Sequence, residues 1–333
     1  MTYYYYKIKN MNVSFISAPN AVHQHYPIQP AGIGGGSNPQ PDNDYFKLRN
    51  TGETDGTLTV KKYNHPDTVQ YRLDLEYSTD GENWTACEFT STTATTDVFS
   101  VAVPKGTYVC FRGDNVRGIT ADNYSAWTMF AMDVPHVAEG KLTTLISKES
   151  YSEVTSLYRY AFNGMFREDA NLLSAENLSF DNVTTLNSDS NSGAVQSMFA
   201  LCTSLTTPPD MSGITDAAGT ISPSNAWRTF RGMFAGCTSL TEPAKIYNVT
   251  AALGTTDGLG YGAFNSMYNG CSNLSYAYTP NVPISNANVY DGFLYNAGTA
   301  VTGDKIIYCP TQEVLDAFPV AKVPSGWTLQ VMQ

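Results

Sequence analysis

Charge is scarce in this 333-residue chain. Asp, Glu, Lys and Arg together make up only 15%, with 30 acids against 19 bases and a formal net charge of -11. Nucleic-acid binding needs clustered Lys and Arg to displace counterions, so this balance excludes a general affinity for phosphate backbones. Histidine is rarer still, at four residues, and H-E-x-x-H, G-x-S-x-G and Walker sequences do not occur. That removes the zinc-protease, serine-hydrolase and phosphate-loop classes those motifs mark. Six cysteines occur without any C-x-x-C pair, which argues against a zinc knuckle and for six free thiols. Nowhere do the roughly 18 consecutive apolar residues of a membrane-spanning helix occur, and no apolar stretch of secretory length follows the first residues, so no signal peptide is expected. Catalytic residues and cofactors are accordingly expected to be none.

What the chain does have is 42% hydrophobic residues, enough for more than one folded core. Its charge is unevenly placed. Before Asp42 only Lys7 and Lys9 are charged, which leaves 17 bases and 30 acids, a balance of -13, for the rest. Residues 1–43 read as an extended anchor arm followed by a Gly/Pro linker, because the stretch from Pro27 is Pro, Gly, Asn and Ser with little to bury. Within the arm, Tyr3, Tyr4, Tyr5, Tyr6, Ile8 and Phe15 offer large apolar area at small entropic cost and are the candidate docking residues for a groove on another protein. The simpler alternative is a strand packed on the chain's own next domain.

Residues 44–140 carry short alternating or apolar runs bounded by Gly, Asp, Asn and Pro, the spacing of an antiparallel β-sandwich. In "LDLEYSTDGENW", Leu73, Leu75 and Tyr77 share one face, and Asp80-Gly81 supplies a hairpin turn.

Residues 141–300 contain one phrase several times over: "NGMFREDANL", "SMFALCTSL", "GMFAGCTSL" and "SMYNGCSNL". Their methionines, Met165, Met198, Met233 and Met267, lie 33, 35 and 34 residues apart, which predicts stacked supersecondary units. An aromatic follows each methionine (Phe166, Phe199, Phe234, Tyr268), and a leucine lies seven further on (Leu172, Leu205, Leu240, Leu274). Cys202, Cys237 and Cys271 fall four after their methionines, with Asp169 in that place in the first unit. With Phe162, Val195, Phe230 and Phe264 three before, the apolar positions trace one stripe of a short helix, so each unit is expected to be a helical turn or two, a loop, and a short strand such as "KIYNVT" at 245–250. These columns are assigned to the repeat core, the cysteines as small apolar side chains.

The phrase "MFAGCTSLTEP" resembles the BspA-type leucine-rich repeat, in which MF-x-x-C-x-S-L recurs in proteins of bacterial surfaces and of tailed phages of gut bacteria. "IIYCPTQEVLDAFPVAKVPSGWTL" is similar to the segment that closes such arrays, so residues 301–333 are expected to cap the last unit. The β-domain sequence resembles the domain that precedes these repeats. The resemblance implies an α+β fold: an N-terminal arm, an antiparallel β-sandwich, then a leucine-rich-repeat solenoid with a C-terminal cap.

It also implies a non-enzymatic virion structural protein, a fibre or a capsid or tail decoration, docked on other virion proteins through its arm and displaying its repeats to a host-surface protein or glycan. A bacterial cell-surface adhesin of the same family is the alternative. A homo-oligomer is expected, a trimer for a fibre, with no nucleic-acid partner and no membrane insertion. His23 and His25 are the sole metal candidates. His-x-His turns both imidazoles to one side of an extended segment, and three such segments about a threefold axis would offer six nitrogens; two exposed histidines is the simpler reading.

Overall fold

The computed structural model describes residues 44–64, 73–93, 96–120, 126–186, 193–217, 228–250, 262–285 and 287–333. The arm, with Tyr3, Tyr4, Tyr5, Tyr6, Ile8, Phe15, His23 and His25, lies outside the described residues.

The first half is built of short strands, and the alternating stretch from Leu73 is strand only over Glu76–Ser78. Strands β1 (Phe46–Asn50), β2 (Gly56–Tyr63), β3 (Glu76–Ser78), β4 (Thr85–Ala86), β5 (Thr90–Thr93), β6 (Thr96–Val103), β7 (Tyr108–Arg112), β8 (Trp127–Met132) and β9 (His136–Lys141) build two sheets. One runs β9-β1-β7-β3-β4 and the other β5-β6-β2-β8, with antiparallel pairing throughout these paths. The sheets face each other through aromatic side chains: Phe130 of β8 meets Phe46 at 5.3 Å and Phe111 at 5.1 Å, both near perpendicular. At the β3–β4 hairpin Asp80 holds the turn, accepting from the backbone N–H of Glu82 and Asn83.

The expected boundary between residues 140 and 141 falls inside β9. On its outer edge β9 pairs in parallel with β10 (Leu172–Ser174) and β11 (Leu178–Ser179), so the first repeated unit extends the sheet. Residues 38–333 form one compact unit, with a core continuous from Phe46 to Trp327.

The α+β repeat solenoid expected from the sequence is overturned. Among the described residues the structure is mostly sheet, its one α-helix being α1 (Gln312–Ala317), and no sheet closes or runs on as a solenoid. The repeated phrase forms no helix, and 245–250 forms no strand. Parallel pairing between the first and second units is reduced to the isolated bridges Ser174↔Thr207, Ser179↔Asp210 and Thr185↔Asp216.

Backbone conformation gives the physical reason. Tyr160, Gly164 and Glu168 have φ of 56°, 65° and 66°, so every fourth residue is left-handed, which no right-handed helix accommodates. Half of the N–H groups close tight turns, as Met165 to Phe162 O and Arg167 to Gly164 O. The other half leave the unit: Gly164, Phe166 and Glu168 donate to the carbonyls of Gln196, Met198 and Ala200 at 3.0, 2.8 and 2.8 Å. Each phrase is therefore a ribbon of consecutive turns hydrogen-bonded to the next phrase. Residues 289–298, which lack the Met-Phe-Cys pattern, take the same form, with Gly292 and Asn296 left-handed at 63° and 57°.

The chain ends in a parallel sheet of β12 (Tyr276–Tyr278), β13 (Lys305–Cys309) and β14 (Trp327–Val331), with α1 connecting the last two. Thr311 caps α1, its hydroxyl accepting from Val314 N–H.

Candidate functional site

The residues made conspicuous by repetition are interior. Met165, Phe166, Leu172, Met198, Phe199, Cys202, Leu205, Met233, Phe234, Cys237, Leu240, Met267, Tyr268, Cys271 and Leu274 are all fully buried. The aromatic column stacks face to face, Phe166–Phe199 at 5.2 Å, Phe199–Phe234 at 5.4 Å and Phe234–Tyr268 at 5.6 Å. The cysteine column is tied to the backbone: Cys202, Cys237 and Cys271 donate their S–H to the carbonyls of Phe166, Phe199 and Phe234 at 2.9, 3.0 and 3.0 Å. Burial raises all three thiols, Cys271 to about 12, so they stay protonated and non-nucleophilic. All six cysteines are free. Among the described residues no group of three or more His, Cys, Asp or Glu could hold a metal ion, and no helix is long and apolar enough to cross a membrane.

Asp169, in the cysteine position of the first unit, is 2% exposed and meets the equally buried His136 of β9, Nε2 to Oδ2 at 3.0 Å. The other imidazole nitrogen, Nδ1, lies 3.0 Å from the carbonyl of Val134. This pair joins the sheet to the first unit and faces no solvent. Sequence reading placed Asp169 in the cysteine column and did not connect it with His136, 33 residues away.

The outward-facing counterpart of this scaffold is a cluster of half-buried tyrosines on the C-terminal sheet. In β12 the small Ala277 points into the core, fully buried, and the alternation of a strand turns Tyr276 and Tyr278 outward. Tyr308 lies opposite Tyr278 in the β12–β13 register. Their ring centroids are 6.0 Å apart; Tyr276 lies 5.8 Å from Tyr278 and 6.2 Å from Tyr308, and Tyr247 of the third unit joins at 5.1 Å from Tyr278. Tyr276, Tyr278, Tyr308, Met332 and Gln333 line a groove of about 340 Å³.

Burial, reinforced by Tyr278 and Glu242, pushes the Tyr276 phenol up to about 12, and burial with Tyr247 raises Tyr278. Both phenols are therefore neutral donors at physiological pH. Beyond them Lys245 reaches Asp210 at 3.2 Å. The groove can stack flat apolar surfaces and hydrogen-bond hydroxyls; it has no nucleophile. Its tyrosines were absent from the sequence-derived sites because they lie outside the repeated phrase. The signal available was "YAY", two aromatics alternating about a small residue. No protein-family model, no curated protein and no solved structure matches the chain.

Proposed function

We propose that the protein is a non-enzymatic display protein of a virion, a fibre or a capsid or tail decoration, that docks through residues 1–43 and presents the tyrosine-lined groove to a host-surface glycan. The observation that carries the reading is the groove itself. Four tyrosine rings from β12, β13 and the third unit converge on one open face, and rings that offer apolar faces and phenolic donors suit sugar rings with their hydroxyls. A neutral glycan fits better than a sialylated one, since Glu242 adds negative charge beside Tyr276 and Tyr278 and the whole chain carries -11. The resemblance of the repeated phrase to virion repeat proteins supports the setting. The buried cysteines and histidine support a non-catalytic role, because their chemistry is engaged within the scaffold.

The test is binding of the full chain to an immobilised panel of neutral and sialylated oligosaccharides. Saturable binding to neutral members is expected, weakened about tenfold, or roughly 1.4 kcal/mol, by Tyr278→Ala or Tyr308→Ala. No binding to the panel, or equal binding by the Tyr278→Ala, Tyr308→Ala double variant, refutes the glycan role.

A further inference from the structure

The repeated units are joined through one side of each. Alternate N–H groups of one unit meet carbonyls of the next: Phe166 to Met198, Phe199 to Met233, Phe234 to Met267 and Tyr268 to Phe293, all at 2.8 or 2.9 Å. The opposite side of the first unit is covered as well. Ile119 N–H donates to Ala161 O at 3.0 Å, Phe130 N–H to Met165 O at 2.7 Å and the Thr120 hydroxyl to Asn163 O at 3.2 Å.

The fifth unit breaks this series. Gly292, Leu294 and Asn296 stand where Ser266, Tyr268 and Gly270 stand in the fourth, and those three donate to Asp291, Phe293 and Tyr295 at 2.9, 2.9 and 2.8 Å. Among the described residues no acceptor meets the N–H groups of Gly292, Leu294 and Asn296. All three line a groove of about 500 Å³ whose far wall is Ala321–Ser325 and Trp327. Leu294 is buried and Gly292 half-buried, so their main-chain donors call for acceptors, while Asn296 is exposed at the end of the row. Four large apolar side chains are exposed among the described residues, and two of them flank this groove: Tyr295 at 63% on its lip and Val320 at 77% just before its wall.

We propose that this end of the molecule docks a polypeptide segment of another protein, which lies along the terminal unit and supplies main-chain carbonyls of alternate residues to Gly292, Leu294 and Asn296. Four identical rows within the same molecule are met in that way, which makes a carbonyl row the acceptor these donors fit. A free anion fits worse, because the Asp291 carboxylate lies beside the row, held at 2.9 Å by Lys322. A second copy cannot supply the row through its own first unit, whose carbonyls are already taken by Ile119, Thr120 and Phe130. The segment resembles an added strand in its use of main-chain bonds for affinity, with Tyr295 as an apolar anchor.

The test uses the full chain as bait for a displayed library of random dodecapeptides. Captured peptides are expected to slow amide exchange at Gly292, Leu294 and Asn296, read by NMR, and to lose affinity about tenfold on Ala321→Trp or Tyr295→Ala. Both variants alter exposed side chains and leave the fold intact. Tyr278→Ala, in the glycan groove, should leave peptide binding unchanged. The proposal is overturned if no peptide is captured, if Ala321→Trp and Tyr295→Ala bind the peptides as well as the parent, or if the three amides of the free chain exchange as slowly as those of Phe199 and Phe234.

Discussion

At the scale of single residues, Asp169 shows what happens where a column meets its end. Cys202, Cys237 and Cys271 each donate an S–H hydrogen bond to a carbonyl of the unit before; in the first unit the layer before is β9, and His136 fills the space. Nδ1 of His136 faces the Val134 carbonyl at 3.0 Å, while Nε2 lies 3.0 Å from Asp169 Oδ2. Neither Nε2 nor Oδ2 has a hydrogen-bond partner, while Asp169 Oδ1 accepts from Asn171 N–H at 3.1 Å. His136→Ala should therefore cost about 3–5 kcal/mol of folding stability by removing one partner of a buried polar pair and leaving its space empty. The double variant His136→Leu, Asp169→Cys, which extends the cysteine column, should recover most of that loss in denaturant unfolding. A single-variant loss under about 1 kcal/mol would show that the pair is not stabilised as a unit.

At the scale of elements, the turn ribbon depends on residues that tolerate positive φ. Gly270 has φ of 77°, and a Cβ there would meet its nearest neighbour, Gly236 Cα, at an ordinary 3.7 Å, so Gly270→Ala should cost only the left-handed penalty of about 1–2 kcal/mol. At Gly236, φ 78°, an added Cβ would come within 2.5 Å of Leu201 Cδ2, the far end of an exposed side chain that can turn aside. Gly236→Ala should thus cost about as much as Gly270→Ala, and calorimetry of the two variants checks this; a much larger loss at Gly236 would show that Leu201 cannot turn aside. These glycines also explain the mistaken helix. Apolar offsets of three and four suit a helix and a four-residue turn ribbon equally, so periodicity could not choose between them. Gly164 and Gly232 before the methionine, and Gly236 and Gly270 before the cysteine, are the local signal that favoured turns.

At the scale of the molecule, ion pairs tie distant segments together. Asp44 bonds to Lys141 at 2.9 Å and to the Tyr151 hydroxyl at 2.7 Å, while Glu76 bonds to Lys148 at 2.8 Å and Arg112 at 2.7 Å. The Lys141 bond, then Tyr151, holds Asp44 below its ordinary value, and Lys148, opposed by burial and aided by Arg112, does the same for Glu76. A depressed carboxyl stabilises the fold above its unfolded pKa, near 4, and that contribution is lost as pH falls through the folded value. Lys141 and Lys148 are raised by the same bonds, so their share is full below the unfolded lysine pKa, near 10.4, and is lost as pH climbs through the folded value. The thermal midpoint should be flat between about pH 5 and 9 and fall below about pH 4, less steeply in Glu76→Gln. Under the proposed function, deleting residues 1–43 should leave a chain with an unchanged melting curve that no longer joins its particle; unimpaired incorporation refutes docking through the arm.

By itself the sequence determined which side chains form columns and how many residues separate the units, because removal from water selects residue type and repetition makes that selection visible along the chain. It also indicated that the residues before Lys141 form short strands, where alternation of apolar and polar residues reports a two-faced backbone, without fixing their bounds. Only the tertiary structure decided that each phrase is a turn ribbon rather than a helix, since half of its N–H groups find acceptors in another unit some 33 residues away. The pairing of His136 with Asp169, the convergence of Tyr247, Tyr276, Tyr278 and Tyr308, and the open donors of Gly292, Leu294 and Asn296 were likewise decided in space. Such features depend on which elements become neighbours, and local sequence does not encode that choice.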